Sequence, residues 1–214
     1  LWGANGPTGA DVNQGYLGDC YLLASAAEVA TQNQQAIKDT FIDNGDGTYG
    51  VRFFIGGKAD YVTVNTKLVT DASSHVANGS TLQLANGSVS WAGLIEKAYA
   101  QVQELTRGGS AAANQYATIA GGGYAMSLFT NHSVTSTAVT GTMSASDQSA
   151  LLKNLSDTLA AGRGALMATG NTKTLVSDHM YEVLSVDMKA GTVTLRNPWN
   201  TAVAQPAITT MTLG

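Results

Sequence analysis

One cysteine, Cys20, and three histidines, His75, His132 and His179, are the residues of this 214-residue chain whose types suit sulfur chemistry: a nucleophile and a base to take its proton. Only the thiolate attacks, so such chemistry requires a site that favours ionisation. Cys20 follows Gly18-Asp19 and opens a dense run of helix formers over 21–30, which predicts that it sits in the first turn of a helix. Unpaired backbone N–H groups and the positive end of the helix dipole there are expected to lower the thiol pKa. On residue type alone Cys20 reads as a small core hydrophobe sooner than as a nucleophile.

The partners separate the two readings. His75 lies in a Gly/Asn/Ser-rich stretch and His132 between Asn131 and Ser133, both expected on the solvated surface. His179 opens the first strand of a hairpin over 179–196 that turns at 188–191, which sets Asn197 on the returning strand opposite Tyr181 or Glu182. His179 and Asn197 are then two or three residues out of register, roughly 7–10 Å at the backbone and within side-chain reach. A carboxamide oxygen on one ring nitrogen orients the imidazole and leaves the other nitrogen for the thiol. Trp199 is placed to cover the pair. Gln14, six residues before Cys20, offers an amide for an oxyanion, with the Cys20 backbone N–H as second donor. The chain order Gln, Cys, His, Asn points to a papain-like thiol hydrolase.

The elements that must position these residues fall into two halves. The first helix keeps Leu22, Leu23, Ala26, Ala27 and Ala30 on an apolar stripe. Short antiparallel strands are expected over 49–55 and 61–65, after an Asn-Gly-Asp-Gly turn that lacks the alternating ligands of a calcium loop. A loop over 71–90 leads to an amphipathic helix with Trp91, Leu94, Ile95, Ala98, Tyr99, Val102 and Leu105 at helical spacing, closed by Arg107-Gly108-Gly109-Ser110. In the second half a helix is expected over 147–161, capped by Ser146 and ended at Gly162, with strands over 165–169, 180–187 and 192–196. The predicted fold is α+β and two-lobed: a helical lobe over 1–115 carrying Cys20, and an antiparallel β-rich lobe over 116–214 carrying His179 and Asn197.

Lys plus Arg number 11 against 15 Asp plus Glu, so a phosphate-neutralising basic stripe is missing and nucleic acid is not an expected partner. No apolar run approaches the ~20 residues of a membrane span. With one cysteine there is no intrachain disulfide and no multi-thiolate zinc site. Charged residues are only 12%, so neutral polar side chains carry the surface, a profile that suits an extracellular or cell-surface (secreted) protein, with the cytoplasm as the alternative. The start Leu-Trp-Gly reads as a piece of a longer chain.

Gln-Gly-Tyr-Leu-Gly-Asp-Cys-Tyr-Leu-Leu-Ala over 14–24 resembles the cysteine box of the calpain family of papain-like cysteine peptidases. Three further stretches agree in order: Trp91 through Leu94-Ile95-Glu96-Lys97-Ala98-Tyr99-Ala100; Gly121-Gly122; and His179, Tyr181 and Val183 followed by Leu195-Arg196-Asn197-Pro198-Trp199. The resemblance implies a two-lobed endopeptidase core with Cys20 as nucleophile, His179 as base and acid, Asn197 as orienter and Gln14 as oxyanion donor. Peptide or protein substrate, the parent chain included, would lie between the lobes along Gly121 and Gly122, near Asp178 and Trp199.

The sequence departs from the animal calpains it resembles at Tyr21, Asp178 and Asn200, where they carry Trp, Gly and Gly. Asp178 puts a carboxylate beside the base, a feature expected to raise the pKa of His179 or to disfavour acidic substrates. Of the two acidic calcium ligands implied for the first half, Asp11 is present and Val89 replaces the other. A hard cation needs a fuller oxygen set, so no cofactor and no calcium dependence are expected. The reading is a calcium-independent endopeptidase domain of a larger protein, with self-cleavage among its uses. A silent binding or spacer module of the same fold and a transglutaminase-like acyl transfer are the alternatives.

Overall fold

The computed structural model describes residues 1–15, 17–67, 90–106, 119–139, 141, 143–200 and 206–213. The expected loop over 71–90, including His75 and Val89, lies outside the described residues except for Ser90, and the 107–110 helix stop lies outside them entirely.

Helix α1 (Cys20–Gln32) is buried from Cys20 through Ala30. A helix hydrophobic on every side has no solvent face and runs through a core, and the four alanines within it let neighbouring elements approach closely. It ends at Asn33, whose N–H donates to the Val29 carbonyl while its side chain accepts from Ala36 N–H, capping α2 (Gln34–Lys38). Strands β1 (Phe41–Asp43), β2 (Thr48–Ile55) and β3 (Lys58–Asn65) form an antiparallel sheet in that order. The Asn-Gly-Asp-Gly segment is a plain turn: Asp43 and Asp46 spend side-chain oxygens on the N–H groups of Gly45 and Thr48. Gly56 and Gly57, with φ of +57° and +79°, make the two-residue hairpin turn joining β2 to β3.

Helix α3 (Trp91–Thr106) buries Trp91, Leu94, Ile95, Ala98 and Val102, the stripe its periodicity predicts. Together with α1, β2, β3 and the short α4 (Met126–Thr130) it encloses one hydrophobic cluster, which also takes in Ile119, Ala125, Phe129 and Met180.

Helix α5 (Ala145–Ala160) begins two residues before the expected start, because Ser144 and not Ser146 has the extended backbone of a cap and accepts from Asp147 N–H. Strands β4 (Leu166–Ala168), β5 (Met180–Asp187), β6 (Thr192–Arg196) and β7 (Ile208–Thr212) form a second antiparallel sheet in chain order. A second cluster, with Leu152, Tyr181, Val183, Val193 and Leu195, lies between this sheet and α5. The fold is therefore α+β with antiparallel sheets, as expected. The sequence reading did not identify β1, α2, α4 or β7. Helix α1 also packs on β5, so the helix that begins with Cys20 is seated against the strand that follows His179.

Leu23 is completely buried in α1. Leu23→Ala is expected to destabilise the protein by about 2–5 kcal/mol, read from urea unfolding; a loss below about 1 kcal/mol would contradict the placement of α1 in the core.

Candidate active site

Cys20 stands at the first position of α1, and the structure places it in the wall of a cleft of about 260 Å³. Tyr21, Gly121, Gly122, Tyr124, Asp178 and His179 are among the other residues lining that cleft. The backbone N–H of Met180, the residue after His179, is directed at the Cys20 sulfur. Two segments about 160 residues apart in sequence thus meet at one opening.

The His179 ring is fixed from several sides. Its Nε2 lies 2.9 Å from Asn197 Oδ1, and the same oxygen accepts the Trp199 backbone N–H at 3.0 Å. A carboxamide oxygen has no proton to give, so Nε2 carries the hydrogen and the neutral ring keeps its basic lone pair on Nδ1. The register explains the reach: Glu182 pairs with Arg196, which puts Asn197 opposite Tyr181, one of the two expected alignments. The Trp199 ring lies over the imidazole at 4.8 Å between centroids, and Tyr181 meets it edge-on at 5.0 Å. Both aromatics keep water from the His–Asn bond. Asn197 Nδ2 is buried without a partner among the described residues, a cost of about 1–3 kcal/mol.

Two positioning groups were invisible in the sequence reading. Thr169 Oγ1 accepts the His179 N–H at 3.0 Å, and Thr169 N–H donates to the His179 carbonyl at 2.8 Å, so one residue at the end of β4 holds both main-chain groups of the histidine. The other is the Met180 N–H, which any residue type would supply.

Burial shapes the electrostatics. It pushes the Cys20 thiol above its ordinary pKa, and neighbouring Asp19 adds to the rise, while the Met180 N–H opposes it. The direction is opposite to the expectation of a thiol lowered by the helix terminus, and desolvation of the sulfur is its main cause. Burial also pushes His179 down, with the Asn197 hydrogen bond acting the other way. Asp19, the residue before Cys20, is fully buried, faces Glu96 and Gln14, and is pushed up by burial to about 6.

The remaining expected residues fall in two groups. Gly121 and Gly122 line the cleft, and Gly121 N–H donates to the Gly18 carbonyl at 3.0 Å, fixing this segment beside α1. Asp178 is exposed in the same cleft with φ of +51°, a left-handed conformation that Asp tolerates better than most residues. Gln14 is buried outside the cleft lining, with Nε2 donating to the Leu17 carbonyl at 2.6 Å. Its backbone N–H donates to the Pro198 carbonyl at 2.8 Å, and Asn200 Nδ2 reaches the Ala10 carbonyl, so the arm before Cys20 is stitched to the turn after Asn197. Trp199 covers the His179 ring and does not line the cleft. His132 is exposed.

The residues present do not fit the calcium site that the resemblance implies. Asp11 Oδ2 already accepts the Thr8 N–H at 2.8 Å and the Trp91 indole N–H at 2.9 Å, tying the arm to α3. Val89, at the second ligand position, has no side-chain oxygen. Among the described residues no three His, Cys, Asp or Glu side chains converge on one point.

A sulfur and an oriented imidazole in one cleft define a site suited to thiol acyl transfer. Residues 2–206 match the family model of calpain family cysteine proteases. The chain belongs to that family. It is 33% identical over 110 residues to calpain clp-1 of Caenorhabditis elegans, an alignment covering 47% of this chain and 13% of that protein. It is 36% identical over 107 residues to the calpain-2 catalytic subunit of Gallus gallus, covering 46% and 14%. The human calpain-2 catalytic subunit is 34% identical over 103 residues, covering 45% and 14%. The chain thus spans only a small part of the length of these relatives.

Because the Asn197 hydrogen bond favours the charged ring, Asn197→Ala is expected to move the His179 titration further below the ordinary histidine range, followed by NMR in a Cys20→Ala background. A titration unmoved or raised would show that the bond does not orient the ring.

Proposed function

We propose that this domain is a cysteine endopeptidase that cleaves peptide bonds without calcium, using Cys20, His179 and Asn197 as a triad. The observation that carries the reading is the 2.9 Å contact between His179 Nε2 and Asn197 Oδ1 behind a cleft that also holds Cys20. With Nε2 committed to Asn197, Nδ1 is the nitrogen assigned to the thiol.

In this mechanism the Cys20 proton passes to His179 Nδ1 as the sulfur adds to the substrate carbonyl. Burial disfavours each charge alone, so thiolate and imidazolium form together. Their attraction at about 4 Å is worth about 4 kcal/mol at an effective dielectric near 20. The oxyanion is assigned to the Cys20 backbone N–H and, once its side chain turns from the Leu17 carbonyl toward the cleft, to the Gln14 amide. Collapse breaks the C–N bond, and His179 returns its proton to the leaving amine. Water, deprotonated by the same imidazole, then hydrolyses the thioester and regenerates the thiol.

Gly121 and Gly122 carry no side chains between an extended substrate and their backbone groups, which supports a polypeptide substrate; the parent chain is among the substrates this reading admits. The two hydrophobic clusters support a two-lobed core; Ile119, Ala125, Phe129 and Met180 pack with the first cluster. Calcium independence rests on the occupied Asp11 oxygen and on Val89.

Casein or a peptide library should be cleaved by the wild type and not by Cys20→Ala, with the rate unchanged by a chelator. No cleavage by the wild type, with or without added calcium, would leave a silent binding module; cleavage only with calcium would overturn the metal-free reading.

Asp178 places a negative charge in the cleft, so Cys20 should react faster with a cationic than with an anionic methanethiosulfonate. Asp178→Asn is expected to reduce that preference by about 3- to 10-fold at low salt. An unchanged ratio would remove Asp178 from the charge field of the site.

A further inference from the structure

Glu28 on α1 and Glu182 on β5 are both essentially completely buried and drawn to one junction: Glu28 accepts the Ala165 N–H, the Ala165 carbonyl accepts the N–H of Val183 beside Glu182, and Thr31, three residues after Glu28, donates to Glu182. Each belongs to an element that carries half of the candidate site: Glu28 is eight residues after Cys20, and Glu182 is three residues after His179. The donors around them are unevenly shared. Glu182 Oε1 accepts from Thr31 Oγ1 at 2.5 Å, and its Oε2 accepts from the Arg196 guanidinium at 3.0 Å, a full set for an anion. Glu28 Oε1 accepts the Ala165 N–H at 2.9 Å, but Glu28 Oε2 is buried without a hydrogen-bond partner among the described residues. Two carboxylates facing one cation in a dry junction would repel each other, and one oxygen would remain orphaned. A proton on Glu28 Oε2 removes both problems, because the orphan becomes a donor to Glu182.

We infer that Glu28 and Glu182 share one proton, carried on Glu28 and donated to Glu182, and that this hydrogen bond clamps the helix bearing Cys20 to the strand that follows His179. The groups facing the pair are Arg196 from β6, Thr31 and Gln32 from α1, and the Ala165 N–H beside β4, so Arg196 is the facing cation. Burial, reinforced by the charge of Glu182, raises Glu28 to about 9. The folded state therefore holds a proton that an unfolded glutamate releases near its ordinary value of 4.5. The stabilisation is complete below that value and is lost as pH rises toward about 9. Glu28 and Glu182 act as positioning residues. Their consequence for catalysis rests on the peptidase reading above; the shared proton does not.

Glu28→Gln tests this, since a neutral amide accepts from Ala165 and donates to Glu182 as the protonated acid does. The wild-type urea midpoint should fall between pH 6 and pH 9.5, and the E28Q midpoint should fall less than half as far. The wild type should also show the infrared band of a protonated carboxyl at pH 7.5, weakened or absent in E28Q. Glu28→Ala, which orphans the Ala165 N–H, should be less stable than E28Q at both pH values; failure of E28A to fold would agree with that order. Parallel wild-type and E28Q midpoints, or a carboxyl band unchanged in E28Q, would overturn the shared proton. None of these measurements uses peptide cleavage, so loss of the peptidase reading and loss of the clamp are told apart.

Discussion

The placement of one helix inside the core constrains everything else in this protein. Helix α1 is buried from Cys20 to Ala30, so its position is set by packing on several sides, and its N-terminal residue is held where the core opens into the cleft. Because the same helix lies against β5, the sulfur and the imidazole are referenced to one contact. A nucleophile on a mobile loop would lack that shared reference, and small displacements of reacting groups cost large factors in rate.

A buried helix brings buried polar groups with it. Asp19 at its N-cap and Glu28 in its second half lie in surroundings that raise both carboxyls, and Cys20 is raised for the same reason. The dryness that makes these charges costly also strengthens any pair formed within it, as with thiolate against imidazolium or a protonated acid against a carboxylate. The aromatic cover of Trp199 and Tyr181 on His179 extends this regime to the His–Asn bond. Desolvation and specific partners set the direction of these shifts at the site.

Much of the architecture was legible because it is written in local periodicity. The stripes of α1 and α3, the leucines of α5, and the turn chemistry at 44–47 and 188–191 each announce an element within a dozen residues. The elements that escaped are short or polar. Helices α2 and α4 have five residues each, too few for a period, and β7 is a Thr-rich strand whose alternation is weak. The Ser144 cap was missed for Ser146 because both are serines just before the same helix, and only backbone conformation separates them.

By itself the sequence determined the inventory of the site: one thiol, a histidine opening a hairpin, an asparagine at its return, and a register that pairs them. Those follow from residue type and strand alternation, which are properties of a single segment. Tertiary structure decided what depends on segments far apart: the meeting of Cys20 with His179, the grip of Thr169 on the histidine backbone, the use of the Asp11 oxygen by Trp91, and the facing carboxyls of Glu28 and Glu182. No spacing rule reaches across such distances, because these contacts are fixed by how α1 seats on β5. Burial, and with it the protonation of each group, exists only once that seat is formed.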